Sequence, residues 1–358
     1  MVILHIAELR NMTSNGVGVV VPQHVRAQQA YAQAGLVNLA DVSVGEDFQL
    51  PYQKKFDLDQ LPQPFHKPDL VVFHEIYRVP YLTISRQLRQ RKIPYVIVPH
   101  GGLQKRALRI KWLKKAVANL LLWNRFINGA AAIQCLSETE KAETGFRTEK
   151  FIGTNGIFMS EYQPVHREHS GLRIVFIGRL SIFHKGLDIL TQAAARCADL
   201  LREKSCRIEI YGPDRENDRK PLEEMIRDQG IADIMQVYDP VFGEEKEKLL
   251  QDADLFAQSS RFEGMPMGIL EALSYGVPCV VTEGTAVGAY IRRYDAGWVS
   301  QTDAEDFASA LAAAVTEVSS AHRCNARRLV QEEFSWDSIA RETVEKYRLL
   351  AAGNGPRA

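Results

Sequence analysis

The chain has 358 residues, about twice the length of a typical single domain, and this length predicts two domains. Hydrophobic residues make up 46% and charged residues 25%, which is the composition of a globular protein with buried cores. The 44 Lys and Arg residues balance the 44 Asp and Glu residues, which argues against a general nucleic-acid binder.

The charge is divided unequally along the chain. Residues 1–165 carry 20 basic and 13 acidic side chains, so the remainder is acidic. A basic first half suits a phosphate-bearing partner or an anionic membrane surface. The five cysteines form no Cys-x-x-Cys pair, and neither a disulfide framework nor a metal site is predicted. Because no signal peptide and no run of about 18 apolar residues is found, we expect a cytoplasmic protein.

Short β-branched runs alternate with longer helical patterns through the whole chain. Continuous apolar strands separated by helices predict parallel sheets covered on both faces, an α/β fold with two doubly wound, Rossmann-like domains. The boundary is expected within residues 155–171, giving domains 1–158 and 159–334 and a final helical segment 335–358. The predicted strands are Val2–Ala7, Asp69–His74, Tyr95–Pro99, Ala131–Leu136, Arg173–Gly178, Arg207–Tyr211, Ile234–Tyr238, Asp254–Gln258 and Pro278–Thr282.

The most informative motif runs from Ser260 to Leu273, between a predicted strand and a predicted helix. A helix start preceded by Gly and Pro offers free backbone N–H groups to a diphosphate. Glu263 lies on the loop and Glu271 lies eight positions later on the helix, and carboxylates there can accept hydrogen bonds from sugar and ribose hydroxyls. From spacing alone, a capped helix with two solvated acids is an equally good interpretation.

Two cations follow the first predicted strand of the second domain. Arg179 comes just after the strand, and Lys185 comes just before a helix. Cations at the mouth of a sheet suit an anionic leaving group, because charge-assisted hydrogen bonds to phosphate are strong. Taken alone, two surface cations are the commoner explanation.

Two weaker motifs lie in the first domain. Gly16 and Gly18 permit close backbone approach to a phosphate or a sugar, although a simple turn explains them as well. The dinucleotide pattern Gly-x-Gly-x-x-Gly is not completed, because position 21 is Val21, and this argues against a nicotinamide dehydrogenase. His100, at the end of a predicted strand, could hydrogen-bond a reacting sugar or could be satisfied within the bend.

A basic segment follows His100. Between residues 105 and 115 there are six Lys and Arg residues and no acid, and apolar residues share one helical face through to Trp123. Such a helix can lie on an anionic membrane or hold a phosphorylated acceptor. A solvated basic face over a buried stripe is the alternative.

Together these motifs resemble the retaining glycosyltransferases of the GT-B fold, glycosyltransferase family 4. The resemblance covers nearly the whole chain in the expected order: the Gly loop at 15–18, Pro99-His100-Gly101, Ser137-Glu138, Asn155-Gly156, Gly178-Arg179-Leu180, Lys185-Gly186, and the Glu263 and Glu271 pair followed by Ala272-Leu273-Ser274-Tyr275-Gly276-Val277-Pro278. It implies two Rossmann-like domains facing across a cleft, with residues 1–158 on the acceptor side, 159–334 binding a nucleotide-sugar, and 335–358 crossing back to the first domain.

The resemblance also implies a role for each site residue. Arg179 and Lys185 would hold the donor diphosphate, Glu263 would contact the donor sugar and Glu271 the ribose. The backbone of Gly264, Met265, Pro266 and Met267 would form the loop that binds sugar and phosphate, and Gly16, Gly18 and His100 would approach the donor from the first domain. No protein nucleophile, metal or other cofactor is implied, because front-face attack lets the leaving phosphate accept the acceptor's proton.

Three functions are therefore open. The first is hexosyl transfer to a lipid-linked or growing saccharide at the inner membrane face, with peripheral contact through residues 105–123. The second is transfer to a small water-soluble acceptor. The third is a nucleotide-sugar epimerase of the same fold or a non-catalytic binder of sugar nucleotides.

The Gly loop departs from the family pattern: it reads Asn-Gly-Val-Gly where the family often has Gly-Gly-x-Gly.

Overall fold

The computed structural model describes residues 1–10, 16–103, 123–159 and 171–353. The chain divides into two compact units. Unit 1 comprises Met1–Gly156 together with Trp336–Ala358, and unit 2 comprises Ile157–Ser335.

Unit 1 is built on a six-stranded parallel sheet with the order β2-β1-β3-β4-β5-β6. Its strands are β1 (Val2–Ala7), β2 (Gln33–Asn38), β3 (Leu70–His74), β4 (Tyr95–Val98), β5 (Ala132–Cys135) and β6 (Lys150–Ile152). Its described helices are α1 (Gly16–Gln28), α2 (Val79–Gln90), α3 (Asn124–Asn128), α4 (Glu138–Glu143) and a helix from the end of the chain, α13 (Trp336–Ala351), with a short 3-10 helix at Leu58–Gln60.

Unit 2 is built on a second six-stranded parallel sheet with the order β12-β11-β10-β7-β8-β9. Its strands are β7 (Arg173–Ile177), β8 (Arg207–Tyr211), β9 (Met235–Tyr238), β10 (Leu255–Gln258), β11 (Cys279–Thr282) and β12 (Gly297–Ser300). Its described helices are α5 (Leu187–Arg196), α6 (Ala198–Glu203), α7 (Arg219–Asp228), α8 (Gly243–Asp252), α9 (Met267–Ser274), α10 (Gly288–Tyr294), α11 (Ala304–Glu317) and α12 (Ser320–Glu333).

The core of each unit lies on both faces of its sheet, as continuous apolar strands require. Val71, Val72 and Phe73 of β3 are all fully buried, and so are Leu255, Phe256 and Ala257 of β10. In unit 2, one apolar cluster packs α5 and α11 against the sheet, and another packs α9, α10 and α12. The predicted α/β fold with two doubly wound sheets is therefore confirmed.

The strand order places a topological switch point in each sheet. In unit 2, β7 lies beside β10, and the strand order leads away from this pair in both directions. In unit 1, the corresponding neighbours are β1 and β3. Ligands of doubly wound sheets bind just beyond the carboxyl ends of the strands at such points. The loops after β7 and β10, and those after β1 and β3, are therefore where a site is expected.

The final helix α13 belongs to unit 1. Trp336 donates a hydrogen bond from its indole Nε1 to Gln23 of α1 at 3.2 Å, and its ring stacks on His24 with the centroids 5.5 Å apart.

Among the described helices, none is both long and apolar enough to cross a bilayer.

Candidate active site

The switch-point loops of unit 2 bring Lys185 and Glu263 together. The Lys185 ammonium forms an ion pair with Glu263 Oε1, and the two side chains are only 16% and 12% exposed. Ser260 Oγ donates a second hydrogen bond to the same carboxylate oxygen at 3.2 Å. A largely buried carboxylate is stable only when it is paired and hydrogen-bonded in this way. Two sequence-predicted residues that are 78 positions apart thus form one charged unit.

Gly186 explains why these two loops can meet. Its backbone has φ +64°, and a Cβ atom there would lie 1.9 Å from the carbonyl oxygen of Ser259. Ser259 Oγ donates a hydrogen bond to the Gly186 carbonyl at 2.7 Å. Only glycine fits both the left-handed conformation and the close approach. This contact fixes the position of Lys185 relative to the loop after β10.

Arg179 joins the same cluster through His184. Its guanidinium Nη2 lies 3.1 Å from His184 Nδ1, while Nη1 lies 3.0 Å from Glu216. Burial lowers the pKa of His184, and the charges of Arg179 and Lys185 lower it further, against the opposing effect of Glu263. The His184 ring therefore contacts one of the two predicted cations, Arg179, and adjoins the other, Lys185, in the sequence.

The loop before α9 presents its backbone. Pro266 is the N-cap of α9 and provides no side-chain acceptor, so the first N–H groups of the helix have no cap. The side chains of Met265 and Met267 pack against the core of unit 2. The Glu263 N–H donates to the Gly284 carbonyl at 2.9 Å, which anchors the loop. Uncapped N–H groups at the positive end of the helix dipole form a site for an anion.

Glu271 lies in the second turn of α9. Lys246 of α8 donates a hydrogen bond to Glu271 Oε1 at 2.7 Å, and both side chains are about three-quarters buried. Each of the two carboxylates predicted from the sequence is thus held by its own lysine.

In unit 1, the predicted residues lie at the carboxyl edge of the sheet. Gly16 and Gly18 form the first turn of α1, so they are helical, whereas the sequence suggested a loop. His100 follows β4 in a left-handed conformation, φ +48°, and its Nε2 lies 3.1 Å from His74 Nδ1. Burial lowers the pKa of His100 to about 4.

A buried carboxylate holds the loop around His100. Glu140 is completely buried, and it accepts the Gly101 N–H at 2.6 Å and the Leu136 N–H at 2.7 Å. Burial raises the pKa of Glu140 despite these two hydrogen bonds. The bend after β4 is therefore tied to the end of the neighbouring strand β5.

The predicted residues fall into one group in each unit. Lys185 and Glu263 form an ion pair, Arg179 contacts His184, which the charges of that pair also influence, and Glu271 lies on the adjoining helix. The basic segment expected at residues 105–123 lies outside the described residues except for Trp123, which is buried against Phe126.

Sequence reasoning missed several partners in unit 2. Arg261 forms a two-pronged ion pair with Asp188, with both N···O distances 2.7 Å, although the two residues are 73 positions apart. His184, Glu216 and Lys246 were not predicted either. His184 adjoins Lys185 in the sequence and could have been suspected, whereas pairing across distant helices has no signal in spacing.

A cavity in unit 2 lies away from the Lys185–Glu263 pair. It has a volume of about 760 Å³ and lies beside Arg173 and Arg207, at the amino ends of β7 and β8. Arg173 is already paired with Glu209, and Arg202 with Asp233. This cavity is at the edge of the sheet opposite Lys185, where the topology predicts no ligand site.

Comparison with known families identifies the unit that carries this cluster. Residues 171–317 match the model of the family described as glycosyl transferases group 1. The matched region begins two residues before β7 and ends with α11, so it contains Arg179, Lys185, Glu263 and Glu271.

Curated relatives are glycosyltransferases. The MMP alpha-(1->4)-mannosyltransferase of Mycolicibacterium hassiacum is 28% identical over 50% of this chain and 44% of its own length. The amylovoran biosynthesis glycosyltransferase AmsK of Erwinia amylovora is 27% identical over 79% of this chain and 70% of its own length. The chain spans less than half the length of the first three curated relatives it matches, at 43–44%.

Solved structures share the architecture of both units. Sucrose-phosphate synthase from Thermosynechococcus elongatus aligns with a TM-score of 0.76 at 16% identity, covering 98% of this chain and 99% of that one. The Anabaena HepE structure in complex with UDP-glucose aligns with a TM-score of 0.73 at 17% identity, covering 97% and 99%. Each unit therefore has the Rossmann-like fold found in GT-B structures, which confirms the fold class expected from the sequence.

Proposed function

We propose that the chain is a retaining, metal-independent glycosyltransferase of family 4 that transfers a hexosyl unit from a nucleotide-diphosphate sugar to a saccharide or a lipid-linked saccharide. The observation that carries this proposal is the Lys185–Glu263 pair, with Arg179 beside it, at the switch point of the group 1 domain. No cofactor is proposed besides the nucleotide-sugar, which is a co-substrate.

The cluster matches the charge that develops in such a reaction. When the glycosidic bond breaks, negative charge accumulates on the diphosphate, and fixed cations and helix N–H groups stabilise it. An ammonium group has three donors, so Lys185 can keep Glu263 and still bind a phosphate oxygen. Arg179 and the uncapped start of α9 supply further donors.

The remaining polar groups suit the sugar and the nucleoside. Glu263, held by Lys185 and Ser260, has a fixed orientation from which it can accept a hydrogen bond from a sugar hydroxyl. Glu271, held by Lys246, would accept one from the ribose. The backbone from Gly264 to Met267 would bind sugar and phosphate, while Gly16, Gly18 and His100 would approach the donor from unit 1.

In the proposed reaction the acceptor hydroxyl attacks the anomeric carbon from the face of the leaving group. The bond from the anomeric carbon to the diphosphate oxygen breaks, and a bond to the acceptor oxygen forms on the same face. The acceptor's proton moves to the departing phosphate oxygen. This chain's residues orient the donor and stabilise the leaving charge, and none acts as a nucleophile.

Related proteins support the choice of donor class. The HepE structure holds UDP-glucose, and a relative from Xanthomonas oryzae is named a GDP-mannose:cellobiosyl-diphosphopolyprenol alpha-mannosyltransferase. We therefore propose a UDP- or GDP-linked hexose as the donor. AmsK is named for amylovoran biosynthesis, and this supports a saccharide acceptor in cell-surface polysaccharide synthesis.

The test begins with a panel of UDP- and GDP-linked hexoses in thermal-shift assays. A donor at about 100 times its Kd should stabilise the fold by about 2.7 kcal/mol. The donor found is then incubated with saccharide and lipid-linked saccharide acceptors in the presence of EDTA, and the product's anomeric configuration is read by NMR. A product of unchanged anomeric configuration is expected. A product of inverted anomeric configuration would contradict the retaining mechanism. Loss of activity with EDTA would contradict metal independence.

Two further outcomes separate the alternatives. Donor binding with epimerised nucleotide-sugar, or with no product for any acceptor, would favour the epimerase or the non-catalytic binder. Flotation with anionic vesicles, compared between the natural chain and a variant with Glu at Lys111, Lys114 and Lys115, tests the proposed membrane contact. Equal flotation of the two proteins would contradict it.

A further inference from the structure

Unit 1 buries histidines at its switch point. His5 lies on β1, His24 on α1 and His74 at the end of β3, and their exposed fractions are 0%, 3% and 0%. His100, after β4, is half-buried beside them. Polar rings are buried at little cost only when their nitrogens are hydrogen-bonded, so the partners of each ring determine what the cluster does.

The rings form one continuous hydrogen-bonded chain. His100 Nε2 lies 3.1 Å from His74 Nδ1, and His74 Nε2 lies 2.9 Å from His5 Nδ1. His5 Nε2 lies 3.0 Å from Gln28 Oε1. The Gln28 amide nitrogen lies 2.8 Å from His24 Nε2, which ends the chain on the other side.

Thr343 of α13 determines the orientation of the Gln28 amide. Its hydroxyl donates its single proton to the Ile339 carbonyl at 2.8 Å, as a threonine within a helix can. It therefore acts only as an acceptor towards the Gln28 group that lies 3.4 Å away. That group must be the NH₂ donor, so Oε1 faces His5.

The amide orientation then sets every tautomer in turn. Because Gln28 Oε1 only accepts, His5 carries its proton on Nε2 and accepts on Nδ1. His74 must then donate from Nε2 and accept on Nδ1, and His100 must donate from Nε2. His24, which accepts from the Gln28 amide on Nε2, carries its proton on Nδ1. A reversed amide would reverse all four rings.

We propose that Gln28, His5 and His74 are positioning residues that fix His100 in the Nε2–H tautomer, so that its remaining nitrogen, Nδ1, is a permanent hydrogen-bond acceptor. The chain of rings transmits one amide orientation, set on α1 and α13, to a residue at the carboxyl edge of the sheet.

The rings are neutral, as this requires. Burial lowers the pKa of His5 to about 4, outweighing the Gln28 hydrogen bond that raises it. Burial also lowers the pKa of His74 and His24 well below the usual value, and the neighbouring rings lower it further. Near neutral pH each ring therefore has one donor and one acceptor nitrogen.

A metal site is the main alternative for such a cluster. One ring nitrogen from each of His5, His24 and His74 lies within 4.8 Å of the other two. However, His5 and His74 are hydrogen-bonded to each other, and the Gln28 amide forms hydrogen bonds with both His5 and His24. The ring nitrogens of His5 and His74 and the Nε2 of His24 all take part in hydrogen bonds, and the remaining nitrogen, His24 Nδ1, carries a proton. The geometry therefore favours the hydrogen-bonded chain over a metal site.

The consequence for substrate rests on the proposed function. A lone pair fixed on His100 Nδ1 can accept a hydrogen bond from a sugar hydroxyl. The carboxylate of a uronic acid has no proton to donate to it. The chain of rings would therefore favour a neutral hexosyl donor over the corresponding uronic acid donor. Losing this hydrogen bond should weaken binding of the neutral donor about five- to tenfold.

The first experiment needs no substrate. The protein is labelled with ¹⁵N-histidine, and the His100 resonances are assigned by their loss in His100→Gln. We expect protonated Nε2 and unprotonated Nδ1 for His5, His74 and His100, with the opposite pattern for His24. The reversed pattern, or zinc found at one equivalent by elemental analysis, would overturn the proposal.

Matched variants test the transmission. His74→Phe removes the link next to His100, and His24→Phe makes the same change at a ring that is off the path between Gln28 and His100. The His100 Nε2 proton should exchange rapidly with water in the first variant and stay protected in the second. Equal exchange in both variants would contradict a positioning role, and the natural protein's spectrum stays decisive if His74→Phe does not fold.

A second arm measures the effect on ligand. The Kd values of the best neutral nucleotide-hexose and of its uronic acid counterpart are compared by calorimetry. His74→Phe should lower the preference for the neutral donor about five- to tenfold, and His24→Phe should leave it unchanged. An unchanged preference in His74→Phe would overturn the specificity role. Failure of every nucleotide-sugar to bind would instead contradict the proposed function, while the tautomer result would stand.

Discussion

Both units are doubly wound parallel sheets with a switch point, although their strand orders differ, and the side chains at the two switch points differ in charge. Beyond β7 and β10 in unit 2, the switch carries full charges held in ion pairs, such as Lys185 with Glu263. Between β1 and β3 in unit 1, it carries the neutral rings of His5 and His74, bonded to each other in the core. The loops beyond β1 and β3 also carry ion pairs, Arg78 with Glu8 and Glu75, so what sets unit 1 apart is the buried row of neutral rings beneath those loops.

This difference shows that topology decides where a site lies, while the side chains decide its chemistry. A diphosphate needs cations and N–H groups, which unit 2 supplies from Lys185, Arg179 and the start of α9. Under the proposed function, a sugar would need hydrogen-bonding groups of fixed orientation, and His100 of unit 1 would offer one in addition to Glu263. We expect perturbations of the two switch points to differ in kind as well as in size.

The largest effect is expected at the charged switch point. Lys185→Met should lower turnover at least about 100-fold, because it removes a cation that stabilises the leaving diphosphate. Steady-state kinetics with the donor found in the panel would measure this. Lys220→Met removes a lysine that is 85% exposed in the same unit and should leave turnover within about twofold. Near-normal turnover in a folded Lys185→Met protein would remove Lys185 from the site.

The next effect concerns the contact that shapes that switch point. Gly186→Ala should lower the free energy of unfolding by about 2 kcal/mol more than Gly230→Ala, as judged by urea titration. Both glycines have a left-handed φ, +64° and +67°, but only the Gly186 Cβ would collide with backbone, the Ser259 carbonyl. Equal losses in the two variants would mean that φ alone, without the close approach, requires glycine at Gly186.

Acid should distinguish the neutral switch point. The pKa of His5 is about 4 in the folded chain and about 6.5 when unfolded, so the unfolded state binds more protons between these values. Stability contributed by neutral His5 is therefore present above pH 6.5 and is lost as the pH falls towards 4. Linkage gives a loss of about 2 kcal/mol between about pH 7 and pH 5 for this ring.

Hydrogen exchange can resolve this loss by unit. After correction for intrinsic rates, amides of β1 and β3 should lose more protection at the lower pH than amides of β7 and β10. Protection that falls equally in the two sheets would contradict the assignment of the acid response to the histidine chain.

The smallest effect is expected at the second carboxylate of unit 2. Lys246→Met should raise the KM for the donor about fivefold with little change in kcat, because Glu271 loses the partner that orients it but remains able to bind. Lys248→Met, on the same helix and exposed, is the matched control. A fall in kcat with unchanged KM would assign Lys246 a role in the chemical step.

Most of the fold could be predicted because central strands are continuous and apolar. Val2–Ala7 and Arg207–Tyr211 have the bounds expected from the sequence, and the final helix begins one residue later than expected, at Trp336. The strands that were missed, β2, β6 and β12, are all at sheet edges. An edge strand pairs on one side only, so short or glycine-containing segments such as Gln33–Asn38 can form it without a strong apolar pattern.

The site was predicted in part, and for a different reason. Arg179, Lys185 and Glu263 could be singled out because each lies shortly after the apolar run of a predicted strand. Their partners lie on other elements: Glu216 follows β8 and Lys246 lies on α8. The histidine chain had no sequence signal, because His5, His74 and Gln28 meet only through the parallel pairing of β1 with β3 and the packing of α1.

The return of α13 to unit 1 affects the order in which the chain can fold on the ribosome. Unit 2 is a continuous segment, Ile157–Ser335, whereas unit 1 needs residues from both ends of the chain. Trp336 and Thr343, which contact His24 and Gln28, are translated after the whole of unit 2. Because domains fold as they emerge, unit 1 is begun first and completed last, and its polar interior acquires its final orientation only after unit 2 has been translated.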